Sequence, residues 1–205
     1  MIGISRLYCQ TACEKDELRY GTTKDRSVHH RPVVVWNCTR RCNLRCRHCY
    51  AGASEGGARD EMSSDRARRL IDDLAEFGVP VLLFSGGEPT LREDVFELAE
   101  RAKQRGMRTV FSTNGTTIDP ATADRLAKVE ADYIGVSMDG ARETHDEFRG
   151  VEGAFDDALE GIENCREAGL KVGLRFTITR GNVDDVPSMF RLVRERHLQR
   201  LCFYH

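Results

Sequence analysis

With 205 residues, 40% of them hydrophobic and 31% charged, the chain has enough apolar material to bury the core of one α/β domain, and disorder is not expected. A formal net charge of -2 gives no global field to gather nucleic acid or an anionic membrane surface, so neither is expected as a partner. The longest apolar runs, 33–36 and 79–84, fall far below the roughly 20 residues of a membrane helix, and the opening Met1-Ile2-Gly3-Ile4-Ser5-Arg6 lacks a secretory pattern, so a cytoplasmic location is expected.

Residues 1–31 are polar and irregular, and read as an N-terminal arm without a fold of its own. The arm carries Cys9 and Cys13 in C-x₃-C spacing, but two thiols without further partners do not make a cluster, so both are expected to be free of metal. From residue 32 to 205 β-rich runs alternate with helical periodicity. Strands are expected at 33–36, 81–84, 108–112, 133–138, 172–179 and 201–204, and helices at 64–77, 93–105, 120–129, 154–168 and 186–197. Such alternation implies parallel strands with right-handed crossovers, in either a doubly wound sheet or a barrel-like array. In the fifth run Val172, Leu174, Phe176 and Ile178 alternate with Lys171, Gly173, Arg175, Thr177 and Thr179, and the fourth run repeats this contrast. Parallel strands covered on both faces should be apolar on both, so one polar face points to a lumen. The expected fold is therefore α/β, a partial (βα)₆ TIM-like barrel that stops at its sixth strand.

Eight cysteines in a chain without a signal peptide suggest metal or redox chemistry rather than disulfides. Directly after the first strand, Cys42, Cys46 and Cys49 have the spacing C-x₃-C-x₂-C. Three thiolates leave one iron of a cubane open to a non-protein ligand. The alternative is structural zinc, with Cys38 or His48 as fourth ligand. A loop at the C-terminal end of a barrel strand favours the cluster, because active sites of (βα) barrels are built there. The second strand runs into Ser85-Gly86-Gly87-Glu88-Pro89, the third into Ser112-Thr113-Asn114-Gly115, and the fourth into Ser137-Met138-Asp139-Gly140, so all three motifs converge on the cysteine face. Cys38, Cys165 and Cys202 read as buried small side chains. His29, His30, His145 and His197 show no metal spacing.

Over 32–205 these motifs resemble the radical S-adenosylmethionine (SAM) superfamily. The resemblance implies a [4Fe–4S] cluster on Cys42, Cys46 and Cys49, with the methionine amino and carboxylate groups of SAM chelating the open iron. It places His48 and Tyr50 near the adenine, Gly86, Gly87 and Glu88 at the methionine amino group, Ser137 and Arg149 at the carboxylate, and Asn114 and Asp139 near the ribose. It also implies electron transfer into the sulfonium and hydrogen abstraction by a 5′-deoxyadenosyl radical. Arg175, on the polar face of its strand, is expected to meet a carboxylate of cofactor, substrate or protein, since a buried unpaired guanidinium is costly. Arg40, Arg41, Arg45 and Arg47 read as solvated charge or as contacts to an acidic substrate.

Within the superfamily, segments 1–9, 18–21, 31–37 and 173–177 resemble the haem-biosynthesis branch, above all the 12,18-didecarboxysiroheme deacetylases, with the haem d₁ enzymes and the haem synthases near. That branch implies a tetrapyrrole substrate and a low-potential electron donor such as ferredoxin or flavodoxin. It also implies a second [4Fe–4S] cluster in a C-terminal region beyond this chain, so that a fragment is expected to activate the cofactor without completing substrate turnover. The rival readings are a peptide-modifying radical enzyme on the same core and a non-catalytic zinc or iron–sulfur module.

Overall fold

The computed structural model describes residues 31–57 and 60–204, so the expectations for the N-terminal arm, including Cys9 and Cys13, lie outside the described residues. Strand β1 (Val34–Thr39) is followed by α1 (Ser64–Phe77), β2 (Val81–Gly86), α2 (Val95–Gln104), β3 (Arg108–Thr113), α3 (Pro120–Lys128) and β4 (Tyr133–Ser137). Then come α4 (Arg142–Arg149), α5 (Ala154–Glu167), β5 (Val172–Thr177), α6 (Val186–Glu195) and β6 (Leu201–Tyr204). Among the described residues no helix is long and apolar enough to cross a membrane.

All neighbouring strands are parallel, in the order β1-β2-β3-β4-β5-β6. Right-handed crossovers that always step in the same direction put every helix on one side of the sheet, whereas a doubly wound sheet reverses direction. The helix side carries the core. Ile134, Val136 and Met138 of the fourth strand region, with Val172, Leu174 and Phe176 of β5, are buried there in one hydrophobic cluster. Phe84 and Phe111 stack within it at 5.2 Å between ring centroids. Tyr133, Gly135, Ser137, Gly173, Arg175 and Thr177 alternate with these residues and take the inner face, which is the arrangement of the partial barrel.

Several element ends shift by one or more residues from the sequence expectation, and two differences have clear physical reasons. Strand β5 stops at Thr177 rather than at 179 because the amide and hydroxyl of Thr179 turn to the Asn182 side-chain oxygen, at 2.7 and 3.0 Å. Helix α4 had no counterpart in the expected elements. Its sequence, RETHDEFR, contains one large apolar residue, and the side chains it buries are His145 and Arg149, four apart. A helix whose inward face is polar carries no apolar period for a sequence reading to find.

Candidate active site

The cysteine loop is clamped between two neighbours. On one side the amides of Gly87 and Glu88 donate to the carbonyls of Thr39 and Arg41, both at 2.8 Å. That approach requires glycine, because a Cβ on Gly87 would run into the Arg41 carbonyl and one on Gly86 into that of Thr39. On the other side the amides of Arg45 and Arg47 donate to the carbonyls of Arg149 and Phe148, at 3.0 and 2.9 Å. The last carbonyls of α4, which have no partner within the helix, thus hold the middle of the loop. Leu44 seals it from below against Ala154 and Val151.

The three thiols sit in graded surroundings. Cys42 is 6% exposed, Cys46 is half-buried and Cys49 is exposed. The Cys42 sulfur accepts from the Leu44 amide at 3.5 Å and from Asn114 Nδ2 at 3.9 Å, while that of Cys46 accepts from Arg149 Nη1 at 3.5 Å. Burial pushes the Cys42 thiol up; the Leu44 amide opposes this, and the charges of Glu88, Cys46 and Cys49 add to it. Among the described residues no three Cys, His, Asp or Glu side chains gather to chelate one ion. A cubane does not ask for that, because each thiolate binds a separate iron and the ligands surround the cluster rather than meet at a point. The zinc alternative fits less well. Cys38 lies in the helix-side core with its thiol pushed up to about 12 by burial, and His48 Nε2 is engaged by Asp139 at 3.3 Å.

Glu88 is fully buried, and its carboxylate ties the ends of β2 and β3 together. One oxygen accepts from the Thr90 amide and hydroxyl at 3.1 and 2.7 Å, and the other from the Asn114 amide at 2.8 Å, with the Thr113 hydroxyl 2.9 Å from both. Burial pushes this carboxyl up against those bonds. Asn114 is occupied as well, donating to Asn43 at 2.9 Å and accepting from the Thr116 amide and hydroxyl at 2.9 Å.

Asp139, 1% exposed, is the hub of the opposite wall. It receives Arg149 Nη2 at 2.5 Å, His48 Nε2 at 3.3 Å and the Thr177 amide at 2.8 Å. Burial alone would raise its carboxyl, but the His48 hydrogen bond and the Arg149 charge outweigh burial and hold it below the usual carboxylate range. Next to it, His145 Nδ1 accepts the Asp139 amide at 3.1 Å, and burial with the Arg149 charge brings that imidazole down to about 4, so it is neutral at physiological pH. Arg149 therefore links the Asp139 carboxylate to the Cys46 sulfur.

The structure brings Cys42, Cys46, His48, Gly86, Gly87, Glu88, Asn114, Asp139 and Arg149 to one end of the sheet through the contacts above, with half-buried Ser137 on the inner face there. Tyr50 stands apart at 79% exposure, its hydroxyl 3.2 Å from Asn37 Oδ1. Arg40, Arg41, Arg45 and Arg47 are exposed, and Arg47 pairs with Glu147 at 2.6 Å. Arg175 Nε is buried without a hydrogen-bond partner among the described residues. Sequence reasoning missed three braces. Arg92 reaches the Cys38 carbonyl at 2.8 Å and the Met62 carbonyl at 3.0 Å; Thr113 binds Glu88; and Asn182 Nδ2 spans the Asp139 and Thr177 carbonyls at 3.0 and 2.9 Å. None has a sequence signature, since each acts on main chain or side chains distant in sequence.

Comparison with known proteins gives the same frame. The chain is 55% identical over 213 residues to the Fe-coproporphyrin III synthase of Methanosarcina barkeri, an alignment covering 100% of this chain and 53% of that protein. It is 44% identical over 175 residues to the pre-heme d1 synthase of Dinoroseobacter shibae, covering 85% of this chain and 43% of the relative. The chain thus spans about half the length of the curated relatives it matches. Among solved structures, anSMEcpe with bound AdoMet shares the fold with a TM-score of 0.71 at 22% identity, over 84% of this chain and 50% of that one. A match to the radical SAM superfamily runs over residues 36–193, from β1 through the cysteine loop and on into α6, and the chain belongs to that superfamily.

Proposed function

We propose that the chain is the cofactor-activating part of an enzyme that removes acetate side chains from 12,18-didecarboxysiroheme to give iron-coproporphyrin III in siroheme-dependent haem biosynthesis. The observation that carries this reading is the 55% identity to the Fe-coproporphyrin III synthase along the whole chain. Cys42, Cys46 and Cys49 would hold a [4Fe–4S] cluster, with SAM on its open iron. When bound, this pair supplies one-electron reductive cleavage of a carbon–sulfur bond and, through it, hydrogen-atom abstraction.

The protein's own residues position and shield. The engaged carboxylate of Glu88 fixes the turn at Gly86 and Gly87, so the main chain of that turn is left to receive the methionine amino group. Ser137 and Arg149 face the methionine carboxylate, with Arg149 held in place by Asp139. His48 lies on the adenine side, and Asn114 and Asp139 set the wall near the ribose. The electron comes from a low-potential ferredoxin or flavodoxin.

The test is anaerobic formation of 5′-deoxyadenosine from SAM under strong reductant. Didecarboxysiroheme is expected to accelerate it severalfold. Acceleration by a tetrapyrrole of the haem d₁ route instead would move the substrate to that reaction, in line with the 44% identity to the pre-heme d1 synthase. Acceleration by a peptide and by no tetrapyrrole would overturn the haem reading.

A further inference from the structure

Two buried polar atoms on the inner face are left over by the cofactor site. Arg175 Nε and the Tyr133 hydroxyl are shielded from solvent, and neither has a hydrogen-bond partner among the described residues. Tyr133 is 9% exposed as a whole. Both are donors, and Arg175 adds a positive charge.

They converge on one rung of the sheet. Gly135 of β4 and Gly173 of β5 are register partners. A Cβ on Gly135 would collide with Arg175 Nε, and one on Gly173 with the Tyr133 hydroxyl. Arg175 pairs in register with Ser137, so it leans from the cofactor end of the strands toward this rung, while Tyr133 reaches it from the opposite end. Ser112, Gly135 and Gly173 form one registered row, and the space directly above its two glycines is taken by the Arg175 guanidinium and the Tyr133 hydroxyl.

Arg175 is half-buried as a whole with its Nε shielded, so solvent screens its charge only in part, and a water molecule would satisfy the two donors without compensating that charge. A carboxylate answers both needs with charge-assisted hydrogen bonds. Because Arg175 leans away from the cysteine loop, the group that meets it belongs to a ligand lying in the lumen rather than to the methionine end of the cofactor. The geometry points to Arg175 and Tyr133 as an anchoring subsite for a carboxylate of the substrate, an acid side chain of a carboxylated tetrapyrrole, an assignment that rests on the function proposed above.

The probe is metal-free coproporphyrin III, whose fluorescence and Soret band report binding to the anaerobically reconstituted protein. Arg175→Met is expected to weaken it about tenfold or more, Tyr133→Phe by a few-fold, and Arg175→Lys by an intermediate amount, with cluster content kept and SAM affinity within about twofold of wild type. The methyl ester of the same porphyrin should bind wild type and Arg175→Met alike. Undiminished coproporphyrin III binding by both Arg175→Met and Tyr133→Phe would show that water fills the rung and would overturn the subsite alone. Loss of SAM affinity with porphyrin binding intact would assign the anchored carboxylate to the cofactor and overturn it as well. Absence of tetrapyrrole binding by wild type would instead sink the haem reading, and the subsite with it. Should Arg175→Met fail to fold, Arg175→Lys and Tyr133→Phe still decide the question.

Discussion

Changing Cys42, Cys46 or Cys49 to Ala is expected to abolish the iron–sulfur chromophore of reconstituted protein, while Cys38→Ala, Cys165→Ala, Cys9→Ala and Cys13→Ala keep it. A cubane held by three thiolates has no spare ligand, so each removal exposes a second iron. Cys38 and Cys165 are in another position altogether, buried on the helix side with thiols pushed up to about 12, and serve as small apolar side chains. Iron and sulfide analysis with the visible spectrum reads the outcome. Because Cys42 packs against Leu44 and Ala154, circular dichroism of Cys42→Ser should accompany it, to separate loss of a ligand from loss of the loop. Equal iron loss in Cys38→Ala would bring back the four-ligand reading.

The second large effect is on stability. Asp139→Asn is expected to destabilise the apo protein by about 3–5 kcal/mol, because it leaves the buried Arg149 guanidinium without its carboxylate. Arg149→Met in the same chain should restore part of that loss, since the stranded charge is then gone. The depressed Asp139 carboxyl adds a pH signature. With the folded group titrating below its unfolded value of 3.8, its contribution is complete above that value and fades as the pH falls through the folded one. Urea unfolding of the single and double variants measures both effects. A double variant no more stable than Asp139→Asn would show that the pair holds the wall by shape rather than by charge.

What could be read from sequence divides along physical lines. Helix α1 falls on its expected bounds because its buried face, with Ala67 and Ile71 on the core side, repeats at the helical period. The inner and outer faces of β4 and β5 were legible for the same reason, since alternation of apolar and polar residues states which side meets helices. The place of the cysteine loop at the end of β1 was legible because the C-x₃-C-x₂-C spacing is local and follows directly on a strand signal. Helix α4 was hidden because its inward residues are His145 and Arg149, and so was the role of Asp139, whose partners come from the cysteine loop, α4 and β5. Glu88 shows how a motif understates its work. Its place in Gly86-Gly87-Glu88 reads from sequence as part of a turn, but the carboxylate spends its hydrogen bonds on Thr90, Thr113 and Asn114, a tertiary arrangement no spacing encodes.

The central claim is that three protein thiolates leave an iron that SAM can occupy, and electron paramagnetic resonance of the reduced, reconstituted protein tests it most directly. Addition of SAM is expected to change the g-values and line shape of the cluster signal, because the cofactor's amino and carboxylate groups enter the coordination of the fourth iron. Arg149→Met should need more SAM to reach the same change if, as proposed, its guanidinium meets the methionine carboxylate. A spectrum that is the same with and without saturating SAM would mean that the fourth iron is closed by the protein and that the chain carries electrons without cleaving the cofactor.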